Sequence, residues 1–428
     1  MKTFKGGIHL DHHKELTAGK PIREANAPKT VVIHLSQGGA PCQSCVKAGD
    51  TVKVGQKLGD SDKLISAPVH SSVSGTVTAI DNAPHPSGTM SKAVYIESDG
   101  KNDPVEPIRN ISVREAGIVG LGGGSFPSHI KLNPPIGKNI DTVILNGAEC
   151  EPYITCDHAL MLEEPLSIVK GLMGILNTVG AKQGIIAIEN NKIDAYNKIR
   201  EAVNQMNIKV ELVETKYPEG GEKELIYALL KREVPSGKFP ADIGCIVSNV
   251  GTAHAMNTSQ KNGMPLTERV LTVTGAVKNP SNLKVKIGTK IIDLIDDCGG
   301  FSGKPKKVIL GGPMMGISQH TLETPIAKCT TCVLVLDEKD VKLFEEQPCI
   351  RCCRCVDSCP VQLMPNFIAD YAQNDMFEKA ISNGAGDCME CGVCSYVCPT
   401  RRELVHWIKL AKAKRLVRRS LGEGGNKK

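Results

Sequence analysis

Cys349-Ile-Arg-Cys352-Cys-Arg-Cys355-Val-Asp-Ser-Cys359-Pro360 recurs, in spacing, as Cys388-Met-Glu-Cys391-Gly-Val-Cys394-Ser-Tyr-Val-Cys398-Pro399. Each run reads Cys-x2-Cys-x2-Cys-x3-Cys-Pro. A zinc knuckle uses separate Cys-x2-Cys pairs. Three close cysteines and then Cys-Pro, twice over, is the spacing that holds two [4Fe–4S] clusters. Thiolates are the ligands such cores need, because soft sulfur suits iron–sulfur chemistry. The chain has 428 residues and 17 cysteines, nine of them between Cys349 and Cys398. Eight keep the spacing. Cys353 sits inside the first run but off it.

The runs resemble those of bacterial ferredoxins. There the fourth cysteine, ahead of Pro, reaches across to the other cluster. On that pattern Cys349, Cys352, Cys355 and Cys398 hold one cluster. Cys388, Cys391, Cys394 and Cys359 hold the other. Crossed ligation keeps the two close enough for fast electron hopping.

Outward from this region, the totals describe an ordinary globular chain of several domains. Hydrophobic residues make up 41% and charged residues 23%, normal for a folded protein. No apolar run is long enough to cross a bilayer. The start, Met1-Lys-Thr-Phe-Lys-Gly-Gly, has no apolar signal region, so a cytoplasmic setting is expected. That setting favours metal ligation over disulfides for so many cysteines. The net charge of +6 comes from the tail: Thr400–Lys428 carries ten Lys/Arg against two Glu, leaving the rest near −2. A basic face interleaved with aromatics is missing from the body, which argues against nucleic acid.

Four regions follow along the chain. Residues 1–104 read as β, with short Val/Ile runs at Thr30–Leu35, Thr51–Val54, Lys57–Leu58, Gly75–Ile80 and Ala93–Ile96. Residues 105–265 alternate strands and helices. Strands are expected at 141–146, 184–188 and 209–215, helices at 165–179, 194–205 and 221–231. Such alternation predicts a parallel sheet with helices on its faces. Residues 266–340 read as β again, at 268–274, 285, 292–296 and 307–310. Residues 341–428 are the cysteine region and the basic tail.

In the second region, Gly120-Leu-Gly-Gly-Gly-Ser-Phe-Pro-Ser-His-Ile-Lys131 precedes a strand that ends in Asn146-Gly-Ala-Glu-Cys-Glu-Pro-Tyr-Ile-Thr-Cys-Asp157. A glycine run lets backbone N–H groups approach a phosphate closely. Lys131 adds charge, and Glu149 can bond a ribityl or ribose hydroxyl. A nicotinamide carries two electrons at once, whereas an iron–sulfur cluster takes one. A flavin splits the pair, so a chain with two clusters and a nucleotide-like fold predicts a flavin between them.

These segments are similar to the flavin-binding subunit of respiratory complex I. There the glycine loop reads Gly-Arg-Gly-Gly-Ala-Gly-Phe-Pro-Thr-Gly-Leu-Lys, followed by Asn-Ala-Asp-Glu-Ser-Glu-Pro-Gly. The closer resemblance, from Gly6-Gly-Ile-His to the tail, is to the RnfC family, the C component of the Rnf electron transport complexes. It implies four domains: a barrel-sandwich hybrid, a complex-I-like α/β flavin and nucleotide domain, an SLBB β-grasp domain, and a ferredoxin-like domain with two [4Fe–4S] clusters. In the first, Pro68-Val-His-Ser-Ser-Val replaces the lysine-bearing tip of biotinyl and lipoyl carriers, so it is a scaffold.

Carried over residue by residue, the resemblance implies that Gly120, Gly122, Gly123 and Lys131 surround the FMN phosphate. Asn146, Glu149 and Asn249 follow as flavin contacts. Gly220, Gly221 and Glu222 lie in the matching Tyr217-Pro-Glu-Gly-Gly-Glu loop. Phe126 matches the ring that stacks on the nicotinamide, and Phe126, Glu149 and Glu222 stand as the catalytic candidates. Leu121, Ala148, Gly221 and Ser248 depart from the complex I pattern.

The implied activity is that of one component of a ferredoxin:NAD+ oxidoreductase, peripheral on the cytoplasmic face of the membrane. Its partners would be the other Rnf subunits, integral membrane ones included, and a ferredoxin-type carrier. Two alternatives share features: a flavin/iron–sulfur cobalamin reductase of microcompartments, and an iron–sulfur relay without nucleotide binding. Two further readings concern leftovers. Cys42, Cys45, Cys329 and Cys332 form two Cys-x2-Cys pairs that could make an extra metal site. The segment 401–421 has apolar residues at helical spacing among Lys/Arg, suiting either a lipid or partner surface or a helix that covers the cluster domain. His129 and His158 are read as structural.

Overall fold

The computed structural model describes residues 1–420 except Ile136, Gln205 and Leu343. The first region builds two small antiparallel sheets. One orders Thr30–His34, Met90–Ser98, Gly75–Pro84 and Thr51–Val52; the other orders Gln43–Ser44, Lys57–Asp60 and Val69–His70. Period-2 residues Val31, Ile33, Val94 and Ile96 are fully buried together with Leu58 and Val69 from the second sheet, which makes a barrel-sandwich core.

The second region forms a four-stranded parallel sheet, ordered Ile208–Val213, Gln183–Glu189, Thr142–Gly147, Cys245–Asn249. Its central strands, Thr142–Gly147 and Gln183–Glu189, are near-continuous buried runs, because helices cover both faces, whereas the edge strand Ile208–Val213 alternates with Lys209 and Glu211. Pro165–Val179 illustrates the helix signals: Pro stands at the first position, and Gly180 in the left-handed conformation ends it. The helices Cys156–Glu163 and Val250–Asn262 were not anticipated. The first three strands in chain order add outward in one direction, and the fourth returns to the other side of the first. The switch point therefore lies where Asn146 pairs in register with Asn249. Ligand crevices open at the carboxyl ends of strands at such points.

The third region is a six-stranded mixed sheet, and Ile22–Glu24 from the first region joins its edge, parallel to Ser281–Lys286. The stretch 292–296, expected as a strand, is a helix, Ile291–Asp297. Its β-branched residues favour a strand locally. Helical spacing instead buries Ile291, Leu294 and Ile295 against the sheet core and leaves Asp293 and Asp296 outside, so tertiary packing overrides propensity.

In the fourth region each cysteine run contains a four-residue helix that carries its third cysteine, Arg354–Asp357 and Val393–Tyr396. The tail helix Leu404–Ser420 buries Ile408 and Ala411 against Ile368, Ala372 and Ala380. Its first half covers the cluster domain, as one of the two sequence readings had it. Leu416 is exposed, and Leu421 lies outside the described residues. An N-terminal arm ties the regions together: Lys2 bridges Val213, Ile8 bridges Tyr217, and the Gly7 N–H donates to the Ser358 carbonyl at 2.9 Å.

Candidate functional site

A cleft of about 770 Å3 opens at the switch point, within the usual size range for small-molecule sites. Its walls come from all four regions: the barrel-sandwich loops at Ser36–Gly39 and His85–Ser87, the glycine loop with the ends of the central strands, the β-grasp turn around Gly312, and Met389 of the cysteine region. Gly122, Gly123, Phe126, Asn146, Glu149 and Asn249 line it, as do Gly220, Gly221 and Glu222. Gly120 and Lys131 are not among the lining residues. Gly120 instead closes the loop, donating to the Phe126 carbonyl at 2.9 Å and accepting from Ser125 at 3.1 Å. Lys131 pairs with Glu222 at 2.7 Å.

The loop leaves a run of backbone N–H groups unspent. Among the described residues no protein acceptor takes the N–H groups of Gly122, Gly123 or Gly124. Gly123 has φ +102°, and nothing lies within 4 Å of where a Cβ would sit at Gly123 or Gly124. Consecutive unspent N–H groups in such a turn form a phosphate-binding nest. Asn249 caps the helix Val250–Asn262 beside it, accepting from Gly251 and Thr252 and donating to Asp157 at 2.6 Å. Asn146 donates to the Gly220 carbonyl at 2.8 Å and so fixes the facing loop. Phe126 leaves its ring 43% exposed at the cleft. These features fit FMN.

Glu149 is buried differently from a free ligand-binding acid. Its carboxylate accepts from the N–H groups of Asp157 (2.7 Å) and His158 (3.3 Å), at the start of the helix Cys156–Glu163. Burial pushes it up to about 7, against the opposing pull of Lys14. Glu151 is likewise pushed up to about 7 by burial, while it accepts from Met314 and Met315. Lys14, fully enclosed, donates to the carbonyls of Glu149, Glu151 and Ile154. These bonds hold the acidic turn rigid beneath the cleft.

The cysteines gather in the two crossed groups. Cys349, Cys352, Cys355 and Cys398 line one small cavity with Cys353 and Arg402. Arg402 is buried and pairs with Asp370 at 2.7 Å and Glu346 at 3.3 Å. Cys359, Cys388, Cys391 and Cys394 form the second group, where each thiol feels its neighbours. Burial, with Cys388 and Cys359 adding, pushes Cys391 up to about 12. Bound iron would hold such crowded sulfurs as thiolates. Both donor sets fit [4Fe–4S] clusters.

Two residues passed over in the sequence connect this second group to the cleft. Tyr217 is 2% exposed, lines the cleft, and donates its hydroxyl to the Cys391 carbonyl at 2.8 Å. Met389, inside the second run, also lines the cleft. Tyr217 opens the quoted Gly220–Glu222 loop, which was its only signal; Met389 had none.

The spare cysteines do not come together. Cys42 is buried in the barrel-sandwich core, its thiol donating to the Ala67 carbonyl, whereas Cys332 is buried beside Cys156 and Leu334. Among the described residues, the one group of three metal-capable side chains with ligand atoms within 4.8 Å is Glu149, Cys156 and Asp157. His158 bonds Asp194 at 2.9 Å, a structural contact.

Comparison with known proteins agrees with this architecture. Residues 2–101 match the RnfC barrel sandwich hybrid domain and 113–258 the Nuo51 FMN-binding domain. Residues 270–318 match the SLBB domain, and 342–399 the 4Fe-4S dicluster domain. In fold, the chain is similar to an NAD+-reducing [NiFe]-hydrogenase in the H2-reduced state (TM-score 0.50, 17% identity, 73% of this chain and 66% of that one). It is 46% identical to the C component of the Na+-translocating ferredoxin:NAD+ oxidoreductase complex of Acetobacterium woodii, over 98% of each chain. It is 44% identical to the proton-translocating counterpart of Clostridium ljungdahlii, over 89% of this chain and 86% of that one. With this identity over its whole length and all four domains in order, the chain belongs to the RnfC family of Rnf complex components.

Proposed function

We propose that this chain is the flavin and iron–sulfur subunit of an ion-translocating ferredoxin:NAD+ oxidoreductase complex. It moves electrons between NAD(H), FMN and two [4Fe–4S] clusters. The names of its full-length relatives and the FMN-binding and dicluster matches support this reading. Neither a cobalamin reductase nor a relay without a nucleotide draws similar support. As an RnfC protein it works beside other subunits. We assign it to the cytoplasmic face of the membrane, held by integral membrane partners and supplied by a ferredoxin-type carrier. No described helix is long and apolar enough to cross a membrane.

When bound, FMN turns the electron pair of a nicotinamide into single electrons. The chain's own residues do the rest. Gly122, Gly123 and Gly124 hold the phosphate with backbone N–H groups, Phe126 offers its ring to the nicotinamide, and Asn146, Asn249 and Gly220 shape the wall. Gly120 keeps the loop closed. Lys131 acts through Glu222, setting the charge at the rim. Glu149 keeps its helix start in place. The cluster of Cys359, Cys388, Cys391 and Cys394 is then nearest the cleft, and that of Cys349, Cys352, Cys355 and Cys398 is the outer one.

One observation carries this order: Tyr217 belongs to the cleft wall and bonds the Cys391 carbonyl. Anaerobic NADH titration of the reconstituted protein, followed by visible and EPR spectra, tests the reading. Bleaching of a flavin band together with reduced-cluster signals is expected. Cluster signals obtained only with dithionite, with no flavin band, would overturn it.

A further inference from the structure

A second cavity, about 270 Å3, lies behind the cleft, between the helix Val250–Asn262 and the β-grasp strand Glu268–Gly275. Leu121, His254, Arg269 and Lys284 line it. Cys156 and Asp157 line both this cavity and the cleft, so they form the partition. Glu149 faces the partition from the cleft side. The carboxyl groups of Glu149 and Asp157 and the Cys156 sulfur lie within 4.8 Å of one another.

The reaction leaves something for this partition to do. Oxidation of NADH yields NAD+, one proton and two electrons. Each [4Fe–4S] cluster takes one electron and no proton. With both cofactors bound, the proton would therefore be left in the cleft. The other acidic side chains there, Glu151 and Glu222, do not line the second cavity. Glu151 accepts from Met314 and Met315, and Glu222 pairs with Lys131. Burial pushes the Cys150, Cys156 and Tyr217 protons far out of reach. Asp157 alone among the carboxylates faces a second cavity.

We propose that Glu149 and Asp157 pass this proton through the floor of the cleft into the rear cavity, where His254 receives it. The reverse reaction draws its proton inward along the same route. This rests on the nicotinamide reading given above.

The surroundings suit a relay. Burial raises both acids, Glu149 to about 7, so Glu149 can hold a proton near neutral pH. The charged groups facing Glu149 are Lys14, at 4.0 Å, and Lys192; Asp157 faces these two and Arg269, with Asn249 donating to it. These cations keep a single negative charge on the pair tolerable. Burial lowers His254, which leaves it a neutral base; Glu164, Lys284 and Glu268 are the charges around it. Its buried Nδ1 has no hydrogen-bond partner among the described residues, so it is free to accept.

The test follows proton release with an indicator dye in weak buffer, alongside flavin and cluster absorbance, after mixing the reconstituted full-length chain with NADH. In Asp157→Asn the proton should reach bulk water about tenfold more slowly, with cluster reduction slowed to match, within the range for a positioned acid–base group. His254→Gln, which leaves the cleft itself untouched, should slow it about threefold. Added imidazole should restore the rate in His254→Gln, an outcome that a merely structural defect would not give. Release within twofold of the parent in both variants, or a loss that imidazole leaves unchanged, overturns the relay. Should Asp157→Asn lose its flavin, the parent decides: cluster reduction equally fast in H2O and D2O overturns the proposal. If NADH bleaches no flavin in the parent, the nicotinamide reading has failed instead.

Discussion

The two cysteine sets share one spacing and differ in nearly everything around it. Both runs turn alike. Arg351 and Glu390 take left-handed backbone at matching positions, and each donates its N–H to the run's first sulfur, at 3.4 Å to Cys349 and 3.3 Å to Cys388. Beyond this, the outer set stands open: Cys349 and Cys352 are exposed and Ile350 is 65% exposed. In the inner set Cys359, Cys391 and Cys394 are buried. The N-terminal arm, the Tyr217 loop and the β-grasp turn at Met314 cover it. The motif thus fixes ligand geometry, while unrelated segments decide which cluster meets the cleft and which meets a partner.

The sharpest break in this comparison comes from the ligands themselves. Cys391→Ser should lower iron from about eight to about four atoms per chain and abolish NADH reduction of the outer cluster, which dithionite would still reduce. Cys349→Ser should lose the same iron yet leave the inner cluster reducible by NADH. Iron analysis with EPR reads both. Equal NADH reduction of the surviving cluster in the two variants would remove the proposed order.

The next effect tests the cover over the inner set. Gly6 has φ +73°, and a Cβ there would sit 2.6 Å from the Cys359 carbonyl oxygen. Backbone cannot yield as a flexible side chain does. Gly6→Val should therefore cost about 1–3 kcal/mol and loosen the inner cluster alone, seen as faster iron loss in air while the outer EPR signal persists. Tyr217→Phe should act more mildly. It removes one hydrogen bond to the Cys391 carbonyl, worth about 0.5–1.5 kcal/mol. The expected result is a several-fold slower NADH reduction of the inner cluster, with iron content unchanged.

Much of this contrast was invisible in the sequence, for physical reasons. The cysteine runs were legible because ligand geometry is local and demands fixed spacing. The helix Pro165–Val179 was legible because Pro and Gly mark its ends. The alternation around Asn146 pointed to a parallel sheet. Contacts distant in sequence left no mark. Nothing local says that Ile22–Glu24 pairs with Ser281–Lys286, that Gly7 bonds Ser358, or that Lys131 turns to Glu222. Asp157 was passed over because its role depends on two cavities meeting at one side chain. Ile291–Asp297 misled because β-branched residues in a short run satisfy strand and helix alike until the core they face is known.

The smallest expected effect separates cover from motif at a single matched position. The residue after the second cysteine of each run is left-handed: Cys353 at φ 60° and Gly392 at φ 80°. At 392 a Cβ would press against the Met314 carbonyl oxygen at 3.1 Å, so a side chain there is tight beneath the β-grasp turn. At 353 the residue is exposed at the rim of the outer cavity, and a side chain is tolerated at the modest cost of its backbone. Gly392→Ala should lower stability by about 1 kcal/mol, measured by chemical denaturation of the reconstituted protein. Cys353→Gly should stay within about 0.5 kcal/mol of the parent and keep all of its iron. Loss of the outer cluster in that variant would make Cys353 a ligand and undo the crossed assignment, because the outer set would then hold one thiol too many.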